Sequence, residues 1–174
     1  LKNSISVVTC NKIACSSDYG QYKNLKFLAK EYNAPFLFET NVGAGLPILD
    51  TLKNLIASGD KVKKIQAVLS GSLNFVFNTF TDKTTFHDVV KQAQEGGFTE
   101  PDPKIDLSGI DVMRKILILA RESGHELNIN AITNEAFLPE DCLNTETNEA
   151  FFDGLKQHEN HFQALYQKAA ANNC

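Results

Sequence analysis

No apolar stretch in this sequence approaches the ~20 residues a membrane-spanning helix needs, and no basic-then-apolar signal segment opens it. A basic block is also missing. The 17 Lys and Arg stand against 21 Asp and Glu, a net charge of −4, which leaves nucleic-acid binding with little electrostatic basis. The four cysteines, Cys10, Cys15, Cys142 and Cys174, form no C-x-x-C pair. A domain of this size does not need disulfide staples, so free thiols in a reducing cytoplasm are expected. The sequence has no internal repeat, no low-complexity linker and no G-x-G-x-x-G dinucleotide fingerprint. Its spacings offer neither a D-x-D-x-D-G calcium loop nor a Ser-His-Asp or Cys-His arrangement.

What is present suits a globular fold: 43% of the 174 residues are hydrophobic, enough for a core. The sequence starts at Leu1, runs at once into a strand-like stretch, and has Met113 as its one methionine. The expectation is a fragment of a longer protein. Ile5 to Thr9, rich in β-branched residues, predicts a buried strand. Apolar residues at helical spacing predict a helix from Asp18 to Tyr32, ended by Asn33-Ala34-Pro35. Phe36 to Glu39 reads as a short strand. The loop Asn41-Val42-Gly43-Ala44-Gly45-Leu46-Pro47 feeds a helix starting near Pro47 and stopping near Gly59.

Val62 to Leu69 is a further strand candidate, followed by a Ser70-Gly71-Ser72 turn and a short helix from Leu73 to Phe80. Another helix spans about Phe86 to Glu95. Phe98 to Asp106, with two prolines and several acids, reads as a loop. Ser108 is placed to cap a long helix from Gly109 to Ser123 that Gly124 stops. Ile129 to Phe137 is a strand candidate, and Asn144 to Asn172 is helical. This loose alternation predicts an α+β fold with a mixed or antiparallel sheet covered by helices.

The densest polar cluster is Glu100-Pro101-Asp102-Pro103-Lys104-Ile105-Asp106, followed by Asp111 and Lys115 four apart on one helix face. Several carboxylates with one ammonium can bind a small zwitterion. The plainer alternative is a Ser108–Asp111 capping box with a solvated Asp111–Lys115 pair. Gly43 and Gly45 are compatible with close approach to a ligand or cation, or with a tight turn alone. Ser70-Gly71-Ser72 before a helix suits a carboxylate site or an N-cap. Lys12 stands just past a strand end, where ligands of α/β sheets gather; a solvated lysine is the other reading. His158 and His161 lie on a polar helix with no third zinc ligand in view.

The run Ala93-x-x-x-Gly97-Phe98-Thr99-x-x-Asp102-Pro103-x-x-Asp106-Leu107-x-Gly109-x-Asp111-x-x-x-Lys115 matches the homoserine dehydrogenase signature at every fixed position. Three further segments agree in order: Val7 to Lys12, Glu39 to Pro47, and Leu69 to Asn74. The chain therefore resembles the homoserine dehydrogenase family from about Ser4 to Gln167, most nearly the form fused behind an aspartokinase. The resemblance implies an oxidoreductase of threonine and methionine biosynthesis, interconverting L-homoserine and L-aspartate 4-semialdehyde with NAD or NADP. It implies that Glu100 and Asp106 hold the substrate amino end and that Gly71 and Ser72 line the pocket. Asp111 and Lys115 would sit at the reacting hydroxyl with Lys12 close by, as the catalytic residues. A sodium-like monovalent cation would be held by the backbone carbonyls of Glu39, Val42, Ala44 and Leu46.

The resemblance further implies the substrate domain of a Rossmann-type dehydrogenase without its nucleotide-binding half, inactive alone and pairing as a homodimer. Residues 1–32 would be the end of the nucleotide-binding domain and hinge, and 33–139 the substrate and dimerisation domain. Residues 140–174 would be a helical segment leading to a missing C-terminal part. Two other readings stand beside this: a non-catalytic dimerisation or regulatory module, and the substrate domain of another Rossmann-type dehydrogenase.

Overall fold

A computed structural model describes residues 1–172; the expected free thiol of Cys174 lies outside the described residues. Strand β1 (Val7–Val8) pairs in parallel with β2 (Phe36–Leu37), Val7 opposite Phe36 and Val8 opposite Leu37. A parallel pair needs a crossover rather than a hairpin. Helices α1 (Ile13–Ser16) and α2 (Tyr19–Glu31) supply it. Asp18 starts α2 by accepting a hydrogen bond from the Gly20 amide at 2.8 Å, and Asn33, in the left-handed region at φ 45°, turns the chain back toward β2.

After β2 come α3 (Thr40–Gly43) and α4 (Ile48–Ala57), then α5 (Gly71–Thr79) and α6 (Phe86–Glu95). Ser70 and Thr85 cap the last two, their hydroxyls accepting from the Leu73 and Asp88 amides. Next are α7 (Pro103–Leu107), α8 (Ile110–Glu122) and a 3-10 turn at Ile129–Ala131. The chain continues with α9 (Glu140–Leu143), α10 (Asn148–Gln157) and α11 (Glu159–Ala171).

The chain divides into two compact units. The first comprises Leu1–Leu69 and Val112–Asn134. Its core gathers Cys15, Phe38, Val42, Leu49, Ile118 and Leu119, so the β1–β2 crossover, the glycine loop and most of α8 share one apolar centre. The second unit comprises Ser70–Asp111 and Glu135–Cys174. Its core is aromatic: Phe86 stacks on Phe162 with centroids 4.0 Å apart and meets Phe80 edge-on at 5.2 Å. Val76, Val90, Leu107, Phe151 and Leu155 complete that core.

Several expectations change. The described residues form one two-stranded parallel sheet, not a mixed or antiparallel one. Val62 to Leu69 and the residues after Ala131 carry β-branched side chains, yet neither is a strand. A strand is defined by its ladder partners, and none of the described residues pairs with these segments. Nor is β1 buried: Val8 is 80% exposed. Inside the expected 98–106 loop the chain folds into α7, with Pro103 in its first turn and the Asp102 carboxylate accepting from the Lys104 amide at 3.1 Å. Proline suits a first turn because its missing N–H is one that the helix leaves unpaired. Phe38, at the end of the expected Phe36 to Glu39 strand, is buried.

Candidate functional site

In the second unit, Asp106 on α7 is the hub. One carboxylate oxygen accepts the Ser72 hydroxyl at 2.7 Å, and the other accepts the Glu100 amide at 2.8 Å. The acidic loop and the start of α5 are thereby locked together, 34 residues apart in sequence. Gly71 and Ser72 at the α5 N-terminus line an open cavity of about 600 Å³ with Asn74, Phe75, Gly97 and Phe98. Phe75 and Phe98 stack at 4.3 Å to form its apolar wall. Gly97 adopts φ 71°, which turns the chain from α6 into the wall. The loop is braced from behind: Gln94 and Asn148 both donate to the Pro101 carbonyl at 2.9 Å, and the Lys104 ammonium donates to the Thr145 carbonyl at 2.6 Å. Lys104 thus serves the scaffold, near Asp102 at 3.7 Å.

Asp111 and Lys115 lie four residues apart on α8, a continuous helix that leaves the second unit after Asp111 and enters the first at Val112. Lys115, half-buried, donates from Nζ to the Leu69 carbonyl at 2.7 Å. No spacing in the sequence signals that contact, 46 residues away. The Ser108 hydroxyl accepts from the Ile110 amide at 3.3 Å, so it caps the start of α8.

In the first unit, Lys12 stands at the N-terminus of α1, its carbonyl accepting from both the Ser16 amide at 2.9 Å and the Ser16 hydroxyl at 2.8 Å. The glycine loop is a compact turn. The Leu46 amide donates to the Gly43 carbonyl and the Ile48 amide to the Leu46 carbonyl, each at 2.9 Å. Ala44 is at φ 50° and ψ −115°. The Glu39 carboxylate accepts from the Leu49 and Asp50 amides, both at 2.8 Å, capping α4 from a distance.

Sequence reasoning missed a second polar centre in this unit. Glu122 on α8 has a nearly buried side chain that accepts from the Tyr22 hydroxyl, and the Lys26 ammonium reaches both its oxygens at 3.1 Å. Lys53 approaches at 3.6 Å. Burial, and then the bond to Glu122, raise the Tyr22 pKa. Beside it the buried Arg121 guanidinium donates to the Cys15 and Ser17 carbonyls at 2.7 Å and to the Leu127 carbonyl through Nε at 3.0 Å. Burial lowers its pKa. No spacing rule joins residues about a hundred positions apart.

The histidines behave differently from one another. Nε2 of His158 meets Asp141 at 2.7 Å, while Nε2 of His161 meets the Phe137 carbonyl at 2.8 Å. Cys142 lies within 4.8 Å of the first pair, measured between donor atoms. Its thiol is fully buried and pushed up to about 11, by burial first and then by the Asp141 charge. A neutral thiol packed in an aromatic core acts as a small apolar residue. Cys10 and Cys15 are also free thiols. Among the described residues no helix is long and apolar enough to cross a membrane.

The homoserine dehydrogenase family profile matches residues 47–173. A chloroplastic bifunctional aspartokinase/homoserine dehydrogenase 2 from Zea mays is 42% identical over 155 residues, 89% of this chain and 17% of that protein. A Candida auris protein of unknown function has a crystal structure similar at TM-score 0.91 and 38% identity, over 99% of this chain and 50% of that one. A hyperthermophilic archaeal homoserine dehydrogenase, solved in complex with NADPH, is similar at TM-score 0.62 and 37% identity, over 70% of this chain and 37% of that one. The chain thus spans less than a fifth of the maize relative and half or less of the two solved structures. With the profile covering most of its length, this chain belongs to the homoserine dehydrogenase family.

Proposed function

We propose that this chain supplies the substrate-binding part of an enzyme that interconverts L-homoserine and L-aspartate 4-semialdehyde. The observation that carries the reading is the Asp106 hub, where residues fixed by the family signature are joined by hydrogen bonds to Ser72 and to the Glu100 amide. Glu100 and Asp106 attract the substrate ammonium, and Gly71 and Ser72 line its pocket. Lys115 handles the hydroxyl proton, with Asp111 one turn before it on α8 and Lys12 as a second candidate acid–base. Removing a proton from an alcohol requires a base, and returning it to an alkoxide requires an acid. A lysine side chain can do both, taking the proton as the neutral amine and returning it as the ammonium, when neighbours tune its charge. The Leu69 carbonyl orients Lys115 Nζ for this role.

The cofactor in this reading is NADP or NAD, whose nicotinamide carries the hydride. These residues do not form its pyrophosphate cradle. The turn after β1 is Cys10-Asn11-Lys12, with no glycine to let a backbone approach phosphate. A monovalent cation fits the glycine loop better. Hard cations take oxygen donors, and the backbone carbonyls of Glu39, Val42, Ala44 and Leu46 are such donors. That of Leu46 already accepts the Ile48 amide and has its second lone pair for an ion.

By function, residues 1–32 close a nucleotide-binding domain, 33–139 form the substrate and dimerisation domain, and 140–174 a helical segment. The chain forms a homodimer. Val8, Leu37, Leu46 and Val68 of the first unit are all exposed, and large apolar side chains gain from being covered. Titrating homoserine into the chain tests the reading. Binding that weakens at least tenfold in Asp106→Asn is expected, and no binding by the folded chain would overturn it.

A further inference from the structure

Asn41 is the one polar side chain other than those of Ser16 and Arg121 that counts as buried among the described residues, and its exposure is 0%. It sits on α3, inside the glycine loop, and points away from that loop toward the turn that carries Lys12. With its amide nitrogen oriented toward them, it donates to the Cys10 carbonyl at 2.9 Å and the Thr9 carbonyl at 3.1 Å. The backbone explains why these two carbonyls need it. The parallel ladder ends where the Thr9 amide donates to the Leu37 carbonyl at 2.9 Å. Beyond Leu37 the second strand leaves the ladder, and the chain coils into α3. Thr9 and Cys10 therefore run past the end of β2, and a side-chain amide replaces the missing strand.

Three bonds within the turn itself are local. The Asn11 amide donates to the Thr9 hydroxyl at 3.1 Å, the Ile13 amide to the Asn11 side chain at 2.8 Å, and the Ser16 amide to the Lys12 carbonyl at 2.9 Å. They shape the turn locally, and the Arg121 guanidinium holds the Cys15 carbonyl of α1 just beyond it at 2.7 Å. The glycine loop, by contrast, is anchored to α4 by the Glu39 carboxylate on the Leu49 and Asp50 amides. Asn41 links this anchored loop to the Lys12 turn.

We propose that Asn41 is a positioning residue: it holds the Lys12 turn in register with the glycine loop, so that the state of that loop is transmitted to Lys12. The role rests on the homoserine dehydrogenase reading above. It predicts that the proton-handling step depends on Asn41 although Asn41 touches neither substrate nor cofactor. It also predicts that the response to a monovalent cation passes through this amide.

The test uses the full-length protein containing this chain, with Asn41→Leu, which keeps the branched shape and removes the donor, and Leu49→Ala as a control. Leu49 is fully buried in the same core but makes no bond to the turn. Homoserine-dependent NADP reduction is followed against homoserine and against sodium or potassium chloride, and amide hydrogen exchange of Thr9 to Ile13 is measured in the same samples. For Asn41→Leu, kcat is expected to fall at least tenfold with the homoserine KM within threefold. The cation response should flatten, and exchange at Asn11 to Ile13 should quicken at least tenfold. Leu49→Ala should lower Tm while keeping the cation response and the exchange pattern of the turn.

A variant that loses only Tm, with kcat, cation response and exchange matching Leu49→Ala, overturns the proposal. If Asn41→Leu does not fold, Asn41→Ala, which removes the donor in a smaller side chain, is judged by the same criteria. Unmutated protein without homoserine-dependent turnover overturns the functional reading instead. The exchange measurement then decides by itself whether Asn41 holds the turn.

Discussion

Gly43 has no room for a side chain: an added Cβ would stand 2.4 Å from Cγ1 of Ile48 and 3.3 Å from Cβ of Leu46. Gly45, two residues on, has nothing within 4 Å of that position. The sequence left both glycines compatible with close approach to a ligand or with a tight turn alone. The packing assigns the requirement to Gly43, and the left-handed backbone to Ala44. Gly43→Ala should therefore cost about 1–3 kcal/mol by overpacking, and Gly45→Ala within about 0.5 kcal/mol, read from urea midpoints. Equal losses would contradict this account. Lys115 sets the second test at this scale. As a mere ion-pair partner its removal would cost ~0.3–0.5 kcal/mol and leave the rate intact. As the acid–base, Lys115→Ala in the full-length protein should lower kcat by about 10²–10⁴-fold with normal folding. Lys115→Arg should not restore it fully, because a guanidinium does not release its proton near neutral pH. A near-normal kcat for Lys115→Ala would end the assignment.

At the scale of elements, α2 is fastened to α8 by the Tyr22 hydroxyl and the Lys26 ammonium on the buried Glu122 carboxylate. Tyr22→Phe removes one donor to a charged acceptor. It should cost about 1.5–3 kcal/mol, whereas Phe27→Ala on the exposed side of α2 should cost far less; comparable losses would show that Glu122 is not the anchor. The same region sets an alkaline limit. Burial, and next the Glu122 charge, push the Cys15 thiol up to about 12 from an ordinary 9.0, and in the second unit Cys142 rises to about 11. Tyr22 is raised as well. An acid kept protonated by the fold loses its proton more readily in the unfolded chain. These groups thus leave stability unchanged below pH 9 and reduce it as pH climbs from 9 toward 12. Urea midpoints should fall across that range, and Cys15→Ala should make the fall shallower. A slope unchanged by the substitution would remove Cys15 from the explanation.

For the whole molecule, the absence of a glycine-rich phosphate turn from these 174 residues has a direct consequence. The isolated chain should bind homoserine and yet show no turnover with NADP or NAD. Measurable turnover by the purified chain would place cofactor binding in residues that offer no recognised cradle. Self-association is the companion expectation. The exposed Val8, Leu37 and Val68 predict a dimeric mass by light scattering at micromolar concentration, and a monomer would count against that role.

Local chemistry made much of this molecule legible from its sequence. The bounds of α2 and α6 follow from apolar spacing and from caps that lie beside their own helices, Asp18 and Thr85. The 93–115 run identified the family because fixed residues at fixed spacing do not depend on tertiary contacts. What the sequence left undecided were the pairings made across distance. Whether Val62 to Leu69 forms a strand depends on a partner, not on β-branched content, and here no described residue provides one. That Asp106 holds Ser72, that Lys115 meets Leu69, and that Asn41 completes an unfinished ladder were settled only when the folded chain brought these groups together. A hydrogen bond is satisfied by position in space, and only the tertiary structure fixes that position.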